Sequence, residues 1–257
     1  QKKELLEFIE KNCQHLLEQE NLKKKLRDKK LVDLKDALNL NKLPIIIQAF
    51  DISNFSGADA VGSAVCFKNG QPSKNDYRKY KIKTVDGIND FEMMRELLFR
   101  HFNNIKEKKI VKPDLVLIDG GKQHLNIAIQ VLRYDLQFDK NDFLIIALAK
   151  EEETIFLEDK EMPLNLDKST QALRLLQFLR DEAHRFGVEY HKTLRSKKIN
   201  LSALDAIKGV GKKIKAQLLT EFKSVENIAF AKIEDLCKIK GVHPKLAEKI
   251  KNDLLKT

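Results

Sequence analysis

Two aspartates and one histidine in this chain have the types and settings from which metal-assisted hydrolysis can be built. Asp51 ends the apolar run Pro44-Ile-Ile-Ile-Gln-Ala-Phe50, and Asp119 ends the run Asp114-Leu-Val-Leu-Ile118. His184 lies midway along an amphipathic stretch from Thr170 to about Arg195. Carboxylates at the ends of two neighbouring strands make an oxygen-rich mouth suited to Mg²⁺, with Mn²⁺ as the alternative. A helix crossing those ends brings an imidazole to the same point. Each residue alone has a plainer reading: an Asp after a strand is commonly a turn residue, and a His on an amphipathic helix is commonly packed or solvated. It is the set of three that points to chemistry, and it calls for no organic cofactor.

A second constellation is repeated in the tail. Leu204-Asp-Ala-Ile-Lys-Gly-Val-Gly-Lys-Lys213 recurs as Leu236-Cys-Lys-Ile-Lys-Gly-Val-His-Pro-Lys245, with Leu204, Ile207 and Lys208-Gly-Val210 matching Leu236, Ile239 and Lys240-Gly-Val242. Each copy reads as helix, tight glycine turn, helix, and the pair resembles a tandem helix-hairpin-helix. Gly209 and Gly211 permit a turn without side chains, so that N–H groups opening the next helix can face a phosphate oxygen. Lys208, Lys212 and Lys213 add charge there, and Gly241 and Lys245 are the counterparts in the second copy. Such contacts hold a nucleic-acid backbone without reading its sequence. A single glycine turn would more simply be a connector; two aligned copies in a basic segment favour DNA binding. His243-Pro244 replaces the second glycine, which weakens the expectation for that copy.

Composition agrees without deciding. The 257 residues carry 48 Lys and Arg against 38 Asp and Glu, for a net charge of +10. From Lys197 onward there are fourteen lysines and seven acids, so most of the surplus sits in the last quarter. Charge of this kind concentrates polyanions but is silent on fold. Three cysteines, odd in number and widely spaced, make neither a disulfide framework nor a metal-spaced pair, as expected in a reducing cytoplasm. No apolar run is long enough to span a membrane. The chain opens at Gln1 rather than Met and is read as part of a longer protein.

The elements that must position these residues follow from periodicity. Residues 1–41 are a charged helical lead-in, with Leu5, Ile9, Leu16, Leu17, Leu22 and Leu26 at helical spacing. Strands are expected at 44–50, 61–67 and 77–83, with Asn69-Gly70 as a hairpin turn. A helix follows from Asp90 to Phe102, opened by a capping box of Asn89 and Glu92. A strand at 114–118, a helix at 123–132, strands at 143–148 and 154–157, and the long helix complete residues 42–197. A meander gives antiparallel strands and helical crossovers give parallel ones, so the fold class is α/β, a mixed RNase H-like sheet flanked by helices. Residues 198–257 form a small all-α unit.

Six stretches in order, Phe50-Asp-Ile-Ser53, Asp76-Tyr-Arg-Lys-Tyr-Lys-Ile82, Leu117-Ile-Asp-Gly-Gly-Lys122, Leu148-Ala-Lys150, Ala172-Leu-Arg-Leu-Leu176 and Arg180-Asp-Glu-Ala-His-Arg-Phe186, resemble the UvrC family of bacterial nucleotide-excision nucleases. The resemblance covers about Lys42 to the end. It implies a metal-dependent endonuclease making the 5′ incision beside a lesion in double-stranded DNA, with UvrB as direct partner and UvrA as indirect partner. It also implies a GIY-YIG nuclease half upstream in the same polypeptide. Carried across, the family's catalytic triad falls on Asp51, Asp119 and His184, and a further acid on Asp90. Glu92 and Glu96 compete with Asp90 for that role, and Lys122 and Lys150 are candidate phosphate contacts. Two departures lie at the site's edge: Asn54 stands where the family usually has His, and Gln123-His124 where Gly-Gln is usual. The rivals are a non-catalytic DNA-binding scaffold and an RNase H or resolvase-type nuclease acting on another substrate.

Overall fold

The computed structural model describes most of residues 12–255; residues 1–11, 13, 15, 20–25, 27, 54–59, 86, 88, 206 and 256–257, and the side chains of 191–202, lie outside the described residues. The early part of the expected lead-in, and Asn54, therefore lie outside the described residues. Two compact units divide between His191 and Lys192.

The first unit is built on a seven-stranded sheet ordered β3-β2-β1-β5-β6-β7, with β4 also on β2. The strands are β1 (Ile46–Ser53), β2 (Val61–Lys68), β3 (Gln71–Pro72), β4 (Arg78–Lys81), β5 (Leu115–Asp119), β6 (Leu144–Ala149) and β7 (Thr154–Leu157). Strands β1, β5 and β6 are parallel, joined by crossovers containing α2 (Asp90–Lys106) and α3 (Lys122–Ile129). Strands β2 and β7 are antiparallel to their neighbours. This is the mixed sheet expected from a meander followed by helical crossovers.

Alternation along the central strands divides the core in two. Phe50, Val116, Ile118, Ile145 and Ala147 face α2 and α3. Ile47, Ala49, Leu115, Leu117, Ile146 and Leu148 face the long helix α4 (Gln171–Asp205). Helix α1, residues 28–38, also lies on that second face and buries Leu31, Leu34 and Leu38. The end of the expected lead-in is thus core, because its leucines fill a sheet face that α4 leaves uncovered. Helix α4 is longer than its amphipathic signal and carries helical backbone through 197–198, where the second unit was expected to begin.

Other departures have local causes. The Asn69-Gly70 turn is present, both residues at positive φ, yet it returns into the short β3 rather than β4. A 3₁₀ turn at Lys74–Asp76, closed by Ser73 Oγ donating to Asp76, separates the two. Strand β4 ends early because the Lys83 and Thr84 N–H groups donate to the Glu96 carboxylate. Asn89 accepts the Glu92 N–H at 3.2 Å, one half of the expected capping box, while the Glu92 carboxylate faces Arg95. Helix α3 passes into a π-helical turn at Gln130–Asp135. Its Arg133 is buried in an ion pair with Glu158.

A buried polar chain crosses the α2 face. Tyr80 Oη lies 2.9 Å from His101 Nδ1, His101 Nε2 lies 3.1 Å from Gln48 Oε1, and Gln48 Nε2 donates to the Val111 carbonyl. Periodicity alone assigns such positions to apolar residues; here each polar atom has a partner, which is what makes burial tolerable. Burial pushes the His101 imidazole down to about 3, so it is neutral.

The second unit holds α5 (Lys212–Phe222), α6 (Val225–Phe230), α7 (Ile233–Cys237) and α8 (Pro244–Leu254). The repeat in sequence is a repeat in burial: Leu204 and Leu236, Ile207 and Ile239, Val210 and Val242 all enter one core. Among the described residues no helix is long and apolar enough to cross a membrane.

Two outcomes follow. Leu34→Ala should cost about 2–5 kcal/mol in denaturant unfolding, the range for a buried leucine; a cost near the ~0.5 kcal/mol of surface positions would detach α1 from the core. For His101, the unfolded side chain protonates near ~6.5 and the folded one does not until far lower. Its contribution to stability is therefore full above that value and lost as pH falls toward the folded pKa. NMR should find its ring neutral at about pH 5; a charged ring there would mean the pocket admits water.

Candidate active site and nucleic-acid interface

The sheet register brings the two aspartates together. Strands β1 and β5 pair in parallel up to Phe50 opposite Ile118, and Asp51 and Asp119 are each the next residue. Both follow the alternation that places Ala49 and Leu117 toward α4, so both carboxylates rise on that face. Helix α4 seats Leu176, Leu179 and Ala183 on the sheet, and His184 follows at the rim with its side chain half exposed.

Asp51, Asp119 and His184 each offer a ligand atom within 4.8 Å of the others, and among the described residues they are the one group of three or more acidic, His or Cys side chains so placed. His184 Nδ1 lies 3.6 Å from Asp51 Oδ1. The other oxygen, Oδ2, accepts a hydrogen bond from Ser53 Oγ at 2.8 Å. Burial, and then the adjacent Asp51 carboxylate, push Asp119 up to about 7. Two carboxyl groups brought together in a half-buried mouth favour a cation between them, and two oxygens and an imidazole nitrogen are a donor set that can hold a divalent one.

Contacts around the rim fix α4 at the level of His184. Ser63, opposite Asp51 in the ladder, donates through Oγ to the Ala183 carbonyl at 2.8 Å. Tyr77 Oη donates to Glu182 at 3.1 Å, and Arg185 holds the same carboxylate. Arg180, one turn before His184, is buried and paired with Glu153 at 2.6 Å. Its positive charge acts to lower Asp119 against the larger upward push. Sequence reading missed these residues; the available signals were spacings, Ser53 two places beyond Asp51 on a strand and Arg180 four before His184 on a helix.

The remaining expected residues are more dispersed. Asp90 opens α2, exposed and outside the three-residue group; its charge acts to raise the His124 pKa, which burial lowers overall. The ring of Phe91 lies 4.9 Å from that of His124. Glu96 is engaged by the 83–84 backbone and Arg100, and Glu92 faces Arg95. Lys122 opens α3 just past Asp119, and Lys150 just follows β6 next to β5; both are exposed.

In the second unit Gly209 and Gly241 take φ of +105° and +96°, where a side chain would be strained. They are also packed reciprocally: a Cβ on Gly209 would lie 3.0 Å from Leu246, and one on Gly241 3.3 Å from Ile214. Each hairpin's turn is closed by the other hairpin's helix. Helix α5 starts from Gly211 with no side-chain cap, and Lys212 and Lys213 are exposed beside it. Helix α8 instead starts from His243, whose Nδ1 accepts the Leu246 N–H at 3.3 Å, and Pro244 has no N–H to offer. Lys208 and Lys245 are exposed, and the Lys208 carbonyl accepts from Lys249.

Residues 35–188 match the model of the UvrC RNase H endonuclease domain, and residues 201–255 match that of the SAM-like helix-hairpin-helix tandem. Curated relatives named UvrABC system protein C include those of Methanosphaera stadtmanae, 43% identical over 96% of this chain, and Dictyoglomus thermophilum, 47% identical over 86%. That of Porphyromonas gingivalis is 42% identical over 93%. The chain spans 41%, 36% and 41% of the lengths of these three relatives. With the endonuclease-domain model covering more than half of its residues and the hairpin tandem following in order, the chain belongs to the UvrC family.

Proposed function

We propose that this chain makes the 5′ incision beside a lesion in double-stranded DNA during nucleotide excision repair. The observation that carries the reading is the convergence of Asp51, Asp119 and His184 on one mouth at the end of the β1–β5 pair. Asp51 and Asp119 hold a divalent ion, Mg²⁺ by preference, and His184 completes its ligand set. An ion held by these residues would supply Lewis acidity for a water nucleophile and for the leaving 3′ oxygen. Lys122, at the start of α3, and Lys150, just past β6, receive backbone phosphates. Asp90, at the start of α2, is the further acidic residue of this reading, outside the three-residue group. The partners are damaged duplex, UvrB directly, UvrA indirectly and a GIY-YIG half upstream, all acting in the cytoplasm.

The hairpin tandem holds the DNA, and the two copies divide the work unequally. The first presents free N–H groups and two lysines at Gly211, which is how a helix start receives phosphate. In the second, His243 and Pro244 use up or remove those donors, and that copy serves mainly to brace the first. The domain limits proposed are 28–191 for the nuclease unit and 192–257 for the hairpin unit, with the residues before 28 as lead-in.

Incision tests the nuclease reading. With UvrB loaded on damaged duplex, Mg²⁺ and the GIY-YIG half supplied, Asp51→Asn or Asp119→Asn should abolish the 5′ cut and leave the 3′ cut. Persistence of the 5′ cut in both variants would sink the assignment, and loss of both cuts would point to a scaffold role. The hairpins are tested by salt. Replacing Lys212 and Lys213 with Gln should weaken duplex binding and reduce the slope of log affinity on log salt by about 0.9 for each phosphate no longer neutralised. Lys245→Gln should leave that slope nearly unchanged; equal slopes for the two hairpins would refute the division.

A further inference from the structure

Ser53 follows Asp51 by two residues on β1, so both side chains stand on the face that α4 covers. Both are buried, and Ser53 Oγ donates to Asp51 Oδ2 at 2.8 Å. The two oxygens of this carboxylate are therefore divided between partners, Oδ2 to Ser53 and Oδ1 toward His184 Nδ1 at 3.6 Å. A hydroxyl bonded to a carboxylate two residues away is often only a local turn contact. This one is shut in from above. Gly187, three residues past His184 on α4, comes so close that a Cβ there would lie 2.5 Å from Ser53 Oγ and 3.1 Å from Asp51 Oδ2. The helix backbone thus closes the hydroxyl's open side.

We infer that Ser53 is a positioning residue: its hydroxyl holds the Asp51 carboxylate in the one orientation that presents Oδ1, with His184 and Asp119, to a divalent cation. Hydrogen bonds that orient a metal-binding carboxylate typically contribute 10–100-fold to affinity or activity. The same bond occupies Oδ2 and leaves Oδ1 as the oxygen turned toward His184. Gly187 supplies the clearance that lets α4 come down over this pair. The inference rests on the reading of the three-residue group as a cation site, and its test separates the two.

Mn²⁺ is titrated into the 257-residue chain and the free ion followed by electron paramagnetic resonance, with thermal melts of each variant alongside. Ser53→Ala should weaken Mn²⁺ binding by about tenfold or more. Ser53→Cys, which keeps the shape and weakens the donor, should fall with it. Leu34→Ala, destabilised in the core at a residue outside the three-residue group, should bind as the unaltered chain does, so that lost stability is not mistaken for lost positioning. Asp51→Asn should abolish binding. If Asp51→Asn abolishes binding while Ser53→Ala stays within about twofold of the unaltered chain, or Ser53→Cys restores what Ser53→Ala loses, the role of Ser53 is overturned and the cation site stands. If the unaltered chain takes up no Mn²⁺ that depends on Asp51, the site reading fails and the inference with it.

Discussion

The parallel pairing of β1 with β5 sets two carboxyl groups side by side, and much of the first unit is arranged around that enforced proximity. Once Phe50 lies opposite Ile118, the next residues cannot avoid each other; they share a level, a face and a mouth. Burial makes the conflict sharper, which is why Asp119 is pushed so far from the ordinary carboxylate range. The arrangement is tolerable only because the surroundings supply compensation: a hydroxyl against Asp51, a buried guanidinium whose charge reaches Asp119, and an imidazole at the rim. Each of these arrives from a rigid element, so the conflict is held in place rather than relaxed.

Helix α4 carries two of the three compensating groups, and its position is over-determined. Leu176, Leu179 and Ala183 fix its depth on the sheet through packing. Ser63, Tyr77 and Glu153 fix its rotation through polar contacts to the Ala183 carbonyl, Glu182 and Arg180. Apolar packing alone specifies a helix face loosely; directed hydrogen bonds to neighbouring residues narrow it. Three donor groups brought from two strands and one helix need that narrowing if they are to share one ion as proposed, since displacements of an ångström decide it.

How much of this was legible beforehand depended on the kind of signal. The strands ending in Asp51 and Asp119 were readable because both-face burial makes nearly continuous apolar runs. That Asp51, Asp119 and His184 could meet was readable from element order and from the family resemblance, and the structure brings the three together. What alternation and helical period cannot encode is a partner supplied by a distant segment. The early end of β4 depends on Glu96, the burial of Gln48 depends on His101, and the burial of α1 depends on an uncovered stretch of sheet. Nor does a motif say which of its members acts through another, so Ser53 passed as part of a pattern.

The tail was the reverse case, since its repeat and the His243-Pro244 departure were plain in sequence and the cap geometry added what that departure does to the helix start. The reciprocal seating of Gly209 under Leu246 and Gly241 under Ile214 has a consequence for how such a tandem changes over time. Neither copy can be discarded, because each completes the other's turn; yet only the inward-facing residues of a copy are bound by that duty. The second copy, which opens its helix with His243 and Pro244, still supplies the Leu246 side chain that seats Gly209 and the Gly241 turn that Ile214 closes.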